Sequence, residues 1–132
     1  MVMGSRQVKV GLRVADLDRS RDLYLAVGFK EIPNDEQPTL RYLTHGRTWL
    51  ILSDRQAHPY ISERDRVSAQ EGPVGAGFVL AVPVSDVEAL HRWWAAQDGL
   101  EVVLPPEDAG WAVVFQGADY DGYQVMFEQF RN

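Results

Sequence analysis

The chain contains an internal repeat. Residues 8–20 (VKVGLRVADLDRS) and 78–90 (FVLAVPVSDVEAL) share one pattern of apolar and polar residues, with VADL and VSDV offset by 70 positions, 14 against 84. Two later segments, TWLIL and YQVMF, are offset by 75 positions, 48 against 123. A nearly constant offset indicates a duplicated structural unit. The sequence therefore predicts two copies of one module.

The first copy begins with a strand and a helix. Apolar residues alternate with Lys9, Gly11 and Arg13, which is the period-two pattern of a strand with one buried face. Asp16 is placed to cap a helix that ends at Gly28. The strand face that carries Lys9, Gly11 and Arg13 is expected to point away from the core.

Three short strands complete the first copy. They are predicted around Lys30 to Ile32, over 39–44 (TLRYLT) and over 47–54 (RTWLILSD), with a tight turn at His45-Gly46 between the last two. The first module thus has the order βαβββ.

The second copy repeats this order. A strand from Phe78 to Val84 precedes a helix, at whose start Ser85 and Glu88 are expected to form a capping box. Pro83 is expected at a sheet edge or a strand end, since proline donates no ladder hydrogen bond. Three further strands are predicted at residues 100–104, 111–116 and 123–129.

Size and spacing predict a single α+β domain over residues 1–132, with modules at 7–54 and 77–130. The segment 55–76 is polar and rich in charged residues, Pro and Gly, which is typical of a linker. At 45% hydrophobic residues the chain has enough apolar side chains for a core.

Composition excludes several functions. Without cysteine there is no disulfide, thiolate zinc site or cysteine nucleophile. A formal charge of -6 disfavours nucleic acid as a partner and fits a neutral or cationic ligand. No stretch has the length of a signal peptide core or a membrane span, so we expect a soluble, cytoplasmic protein that does not bind membranes.

The motif V-x-D-L at 14–17, the run from Tyr24 to Gly28-Phe29, and D-Y-D-G at 119–122 give the chain a family resemblance. In this order, and within a repeat, they resemble the vicinal oxygen chelate superfamily, which groups glyoxalase I, extradiol dioxygenases and bleomycin-resistance proteins. The resemblance implies two tandem βαβββ modules that form a cup-shaped curved mixed sheet with helices outside. It also implies a homodimer, with cups formed within one chain or across two, and an exchanged N-terminal arm.

The resemblance further implies a divalent metal held by His, Glu or Gln from the first and last strands of each module. By register, the four ligand positions are Lys9, Ile51, Val79 and Met126. A protonated lysine and three apolar side chains are unfit to bind such a metal. We therefore expect no metal, no cofactor and none of the superfamily's metal-dependent isomerisation or ring cleavage.

The histidines indicate no rebuilt metal site, and the aromatic residues predict the lining of the cup. His45, His58 and His91 are expected in ordinary turn, surface and helix positions. Trp94 is expected in the core and Trp93 at the surface. Other aromatic residues are expected to line the cup, although aromatic side chains also fill ordinary cores. The candidate ligand-binding residues are Lys9, Arg13, Tyr42, Trp49, Ile51, Val79, Trp111, Tyr123, Met126 and Glu128.

Three functions fit this set. The first is metal-independent binding and sequestration of a hydrophobic or aromatic small molecule, neutral or cationic, such as an antibiotic, similar to the bleomycin-resistance branch. The second is a metal-independent lyase, isomerase or cyclase that uses Lys9 and Glu128. The third is a dimeric interaction module whose cup has collapsed, which the polar strand face of Lys9, Gly11 and Arg13 disfavours.

Overall fold

The computed structural model describes residues 8–131. The elements are β1 (Lys9–Val14), α1 (Leu17–Ala26), β2 (Lys30–Ile32), β3 (Leu40–His45), β4 (Thr48–Asp54), α2 (Glu63–Glu71), β5 (Val79–Pro83), α3 (Val87–Ala95), β6 (Glu101–Asp108), β7 (Ala112–Ala118) and β8 (Gln124–Phe130). The chain divides after Gly72 into two compact units, each with one βαβββ module. The predicted α+β class and tandem modules are confirmed. The predicted start of the first module at residue 7 lies outside the described residues.

The first sheet has the strand order β1-β4-β3-β2, with β1 parallel to β4 and the other pairs antiparallel. Buried side chains alternate along β1 and β4, as the period-two pattern predicts. With those of α1 they form the core of the unit, which includes Leu12, Val14, Leu23, Tyr24, Leu43, Leu50 and Leu52.

Local chemistry sets both ends of α1. The Asp16 carboxylate accepts a hydrogen bond from the Arg19 amide at 3.1 Å, as its predicted role as a cap requires. At the other end Gly28 has a φ of 115°, and the next amide, that of Phe29, donates to the Tyr24 carbonyl at 3.0 Å. This left-handed conformation favours glycine and turns the chain into β2.

The second sheet has the equivalent order β5-β8-β7-β6 and the same parallel and antiparallel pairs. Pro83 is the last residue of the edge strand β5, so its predicted place is confirmed. Trp94 of α3 is fully buried and packs edge-on against Phe115 and Phe127, with ring centroids 6.2 and 5.2 Å away. The Trp94 indole N–H donates to the Glu101 carbonyl at 2.9 Å.

The D-Y-D-G motif is a turn that leads into β8. The Asp119 carboxylate is buried and accepts hydrogen bonds from the amides of Asp121 at 3.0 Å and Tyr123 at 2.9 Å. Gly122 follows with a φ of 98°. The motif therefore stabilises a turn in this chain.

The predicted capping box at Ser85 is wrong. Asp86 caps α3, and its carboxylate accepts from the Ala89 amide at 3.0 Å. Asp86 lies 70 residues after Asp16, and each carboxylate bonds the amide three residues later. The repeat was thus a better guide to the cap than the local Ser-x-x-Glu spacing.

Two other boundaries differ from prediction. β6 continues to Asp108, past the predicted end at 104 and through Pro105 and Pro106. Because β6 is an edge strand with register shifts, these prolines interrupt few ladder hydrogen bonds. Trp111 precedes β7, which begins at Ala112, so it does not start the strand as predicted.

A helix lies within the predicted linker. Ser62 caps α2 by accepting from the Asp65 amide at 3.2 Å, and no residue of α2 is buried. Arg55 donates to the carbonyls of Ala69 at 2.7 Å and Gln70 at 2.9 Å, near the C-terminal end of α2. None of the helices in the described part of the chain has the length and apolar composition needed to cross a membrane.

Candidate functional site

The face of the first sheet opposite α1, here called the first-sheet face, gathers half of the candidate residues. Arg41 of β3 points to the other side, where it donates to Asp18 of α1 at 3.1 Å. Strand pairing and alternation place three cross-strand rows on the first-sheet face: Lys9–Trp49–Thr44–Lys30, Gly11–Ile51–Tyr42–Ile32 and Arg13–Ser53–Leu40. The structure thus brings together Lys9, Arg13, Tyr42, Trp49 and Ile51.

An aromatic pair lies near the middle of this face. The rings of Tyr42 and Trp49 are half-buried and meet edge to face, with centroids 6.1 Å apart. The Lys9 ammonium lies 5.5 Å from the centroid of the Trp49 ring, within the range of a cation–π interaction. The Tyr42 hydroxyl donates to Gln37 at 3.2 Å, so its ring is held in place. These side chains form an aromatic surface beside a cation.

Arg13 has a structural role that the sequence did not predict. Its guanidinium donates to the carbonyls of His58 at 2.8 Å and Pro59 at 2.7 Å, and lies 3.7 Å from the centroid of the Tyr60 ring. The Tyr60 hydroxyl in turn donates to the Arg55 carbonyl at 2.7 Å. Arg13 therefore anchors the segment 55–60 beside the third row of the first-sheet face.

His58 belongs to this anchored segment. Its Nδ1 is 2.8 Å from the Thr39 hydroxyl. Partial burial lowers the pKa of His58, the positive charge of Arg13 lowers it further, and Asp54 opposes both effects. His58 is therefore neutral at neutral pH, which suits its place beside a guanidinium.

The other two histidines pack against phenylalanine rings. His45 lies 5.1 Å from Phe29 and His91 lies 5.5 Å from Phe115, measured between centroids. Within residues 8–131, no group of three or more His, Asp or Glu side chains is placed to hold a metal ion.

The face of the second sheet opposite α3, here called the second-sheet face, carries three further candidates: Val79, Met126 and Glu128. Its rows are Val79–Gln124–Ala118–Glu101, Ala81–Met126–Gln116–Leu104 and Pro83–Glu128–Val114–Glu107. The Gln116 amide donates to the Gln124 side-chain oxygen, which places two amides near the centre of this face.

The last two candidates, Tyr123 and Trp111, lie just outside the strands. The Tyr123 ring is buried, meets the Phe78 ring edge to face at 6.5 Å, and lies so close to Gly75 that a Cβ there would be 2.6 Å from it. By alternation with Val125 and Phe127, Tyr123 lies on the core side of its sheet. Trp111 is 53% exposed and packs against Phe130, with centroids 5.9 Å apart.

Comparison with known proteins assigns the family. Residues 6–127 match the model of the glyoxalase/bleomycin resistance protein/dioxygenase superfamily. The chain belongs to this superfamily. No functionally curated protein matches the chain significantly.

Several solved structures share the fold. A glyoxalase/bleomycin resistance protein/dioxygenase family enzyme from Burkholderia phytofirmans PsJN is 19% identical with a TM-score of 0.71, over 93% of this chain and 97% of that one. TioX from Micromonospora sp. ML1 is 24% identical with a TM-score of 0.67, over 97% of this chain and 100% of its own. A protein of unknown function from Agrobacterium tumefaciens str. C58 is 20% identical with a TM-score of 0.70, over 98% of both chains.

The four positions at which the superfamily resemblance implies metal ligands occupy equivalent places in the two sheets. Lys9 pairs with Trp49 as Val79 pairs with Gln124, and Ile51 and Met126 occupy equivalent places one row further. The offsets of 70 and 75 therefore persist in the strand pairing. An ammonium, two aliphatic chains and a thioether do not fit a divalent metal of this kind.

Sequence reasoning missed some residues on both faces. Lys30 and Thr44 complete the row of Lys9 and Trp49, and Gln116 lies beside Met126. The hairpin register could have identified these residues. Once β2 is paired with β3 and β7 with β8, the register determines which sheet face each residue occupies.

Proposed function

We propose that this chain binds a small aromatic organic molecule on the first-sheet face and holds it without chemical change. Sequestration of an antibiotic or another aromatic natural product is the function that fits this activity. The observation that carries the proposal is the edge-to-face contact between the rings of Trp49 and Tyr42. It lies on the sheet face where a metal-dependent member would need ligands. The superfamily includes, by name, bleomycin resistance proteins.

The energetics favour a flat ligand. Each contact between a ligand ring and Trp49 or Tyr42 adds about 0.5–1.5 kcal/mol beyond the burial of apolar surface. Ile51 extends the apolar surface in the neighbouring row. A few polar groups on a mostly apolar surface are typical of small-molecule sites.

Paired tryptophan variants test the location of the site. Planar antibiotics, including bleomycin, and aromatic natural products would be titrated calorimetrically into the wild type, Trp49→Ala and Trp93→Ala. We expect Trp49→Ala to lower affinity about tenfold. Trp93, which is 38% exposed on α3, serves as the control and its variant should bind as the wild type does. Equal losses in both variants, or no binding across the panel, would contradict the proposal.

The fate of the ligand separates binding from catalysis. After prolonged incubation, mass spectrometry should recover the ligand with its mass unchanged. A product that disappears in Lys9→Met or Glu128→Gln would instead support the metal-independent lyase, isomerase or cyclase. Native mass spectrometry of the same sample reports the subunit number, for which we propose a homodimer. Treatment with a chelator should leave the affinity unchanged.

A further inference from the structure

The charged residues of the first sheet are sorted by face. Lys9, Arg13 and Lys30 lie on the first-sheet face. The two carboxylates in the described strands of this sheet, Glu31 and Asp54, pair with the buried residues Leu43 and Val14 and so share the side of α1. The strands therefore contribute only positive charge to the face that carries the aromatic pair.

Among the cations in these rows, Lys9 lies closest to the aromatic pair of Tyr42 and Trp49. Arg13 is engaged by the carbonyls of His58 and Pro59 and by the ring of Tyr60. Lys30 lies at the far end of the row, three strand spacings or about 14 Å from Lys9 between Cα atoms. The Lys9 ammonium already lies over the indole of Trp49.

This position disfavours a cationic ligand. A second cation over Trp49 would compete with Lys9 for the indole and would be repelled by its charge. The formal net charge of -6 favours cations in general. However, exposed charges farther away than about 8 Å are largely screened at physiological ionic strength, so the nearest charge dominates.

Gly11 provides space next to Lys9. A Cβ added there would meet no atom within 4 Å, and Gly11 pairs with Ile51 in the row that also contains Tyr42. The backbone of β1 is thus uncovered on this face between Lys9 and Arg13. A flat ring has room to lie over Gly11 and Ile51 with an edge against Trp49.

We propose that the ligand of the first-sheet face is a planar aromatic acid, with its ring over Gly11 and Ile51 and its carboxylate or phenolate at the Lys9 ammonium. This inference rests on the proposed function and specifies the class of ligand. Lys9 lies at a place where the superfamily resemblance implies a metal ligand, and here it supplies positive charge to an anionic oxygen directly. A lysine and an acid attract as an ion pair with charge-assisted hydrogen bonds.

Three probes with the same ring test the charge. Naphthoate, naphthylmethanol and naphthylmethylamine would be titrated into ¹⁵N-labelled protein at low salt, and the indole N–H resonance of Trp49, assigned with Trp49→Phe, would be followed. We expect affinity to fall from the acid to the alcohol to the amine, with the acid favoured over the alcohol by roughly three- to tenfold. Added salt should reduce this preference.

Variants locate the charge and the ring. Lys9→Met should equalise the affinities for acid and alcohol, and Lys9→Arg should keep the acid preferred. Lys30→Met is the matched control and should leave the order of the probes unchanged. Gly11→Val should weaken all three probes, because the side chain would occupy the space of the ring. Thermal melts verify that each variant is folded before its affinity is interpreted.

The outcomes separate the two proposals. If none of the probes binds and the wider panel also fails, the proposed function falls and this inference falls with it. If the alcohol or the amine binds as tightly as the acid, or if Lys9→Met keeps the preference for the acid, the inference is overturned while the proposed function stands. Unchanged binding to Gly11→Val would overturn the position assigned to the ring.

Discussion

The two modules have the same strand order, yet the faces opposite their helices carry charges of opposite sign. The first-sheet face has Lys9, Arg13 and Lys30 in its rows. The rows of the second-sheet face instead contain Glu101, Glu107 and Glu128. The strand order and the helix caps are shared by the two modules, whereas the faces opposite the helices differ in charge. The basic, aromatic face is accordingly the one to which we assign ligand binding.

The cores of the modules also differ at equivalent positions. Tyr24 and Trp94 are both fully buried and lie 70 residues apart, on α1 and α3. Leu43 and Gly117 lie 74 residues apart and pair with Leu50 and Val125, which are 75 apart. The larger indole therefore occurs with the smaller residue on the sheet. Within each module the side-chain sizes compensate.

The largest expected effect comes from removing this compensation in the second module. A Cβ at Gly117 would lie 2.6 Å from Cε2 and Nε1 of Trp94, so Gly117→Ala should lower the free energy of unfolding by about 2–3 kcal/mol. The double variant Gly117→Ala/Trp94→Tyr, which resembles the first module, should be more stable than additivity predicts. Guanidinium unfolding measures both. Simple additivity would show that the two positions are not coupled.

The next effect concerns Arg13, whose equivalent in the second module is Pro83. Arg13→Met removes the hydrogen bonds to the His58 and Pro59 carbonyls and should cost about 1–2 kcal/mol. It should also increase proteolytic cleavage within residues 55–62. Pro83→Met is the matched control, since Pro83 is exposed at the end of an edge strand. Equal cleavage in wild type and Arg13→Met would refute the role of this anchor.

The helix caps of the two modules should contribute equally to the free energy of unfolding. Asp16→Ala and Asp86→Ala each remove one acceptor from the first turn of a helix, and each should cost about 1 kcal/mol in chemical unfolding. Ser85→Ala should change stability by less than about 0.5 kcal/mol. A larger loss for Ser85→Ala than for Asp86→Ala would restore the capping box predicted from the sequence.

The smallest expected effect is a pH dependence confined to the first module. Burial and Arg13 lower the pKa of His58 in the folded state below its ordinary value of 6.5, so the unfolded chain binds a proton first as the pH falls. Stability should therefore be fully present above pH 6.5 and decrease from there down to the folded pKa. Melts of His58→Gln should lack this component. A difference between the two proteins that runs in the opposite direction would contradict the assigned pKa shift.

The repeat made much of the fold predictable. Within residues 8–131, apolar periodicity, turn signals and the repeat together predicted all eight strands and two of the three helices. The offsets predicted the register of the strands that carry Lys9, Ile51, Val79 and Met126. The helix α2 was missed because it buries no residue and so has no apolar periodicity. Contacts from Arg55, eight residues before its first residue, help to hold it.

The candidate site was predictable where alternation was regular. The five first-module candidates share one face because β1, β3 and β4 keep a continuous register. Tyr123 precedes β8, and its core-side position follows only when alternation is counted back from Val125. The anchoring role of Arg13 depends on contacts with residues more than 40 positions away, which no local pattern encodes.

The uncovered backbone at Gly11 gives the first module an adjustable depth. Extended strands accept every residue size at such a position. Alanine, valine or leucine there would fill the space over the strand in graded steps while the strand pairing stays intact. The residue at position 11 would then determine how large a ligand this face admits. Selectivity for molecular size could thus change without any alteration to the framework that supports it.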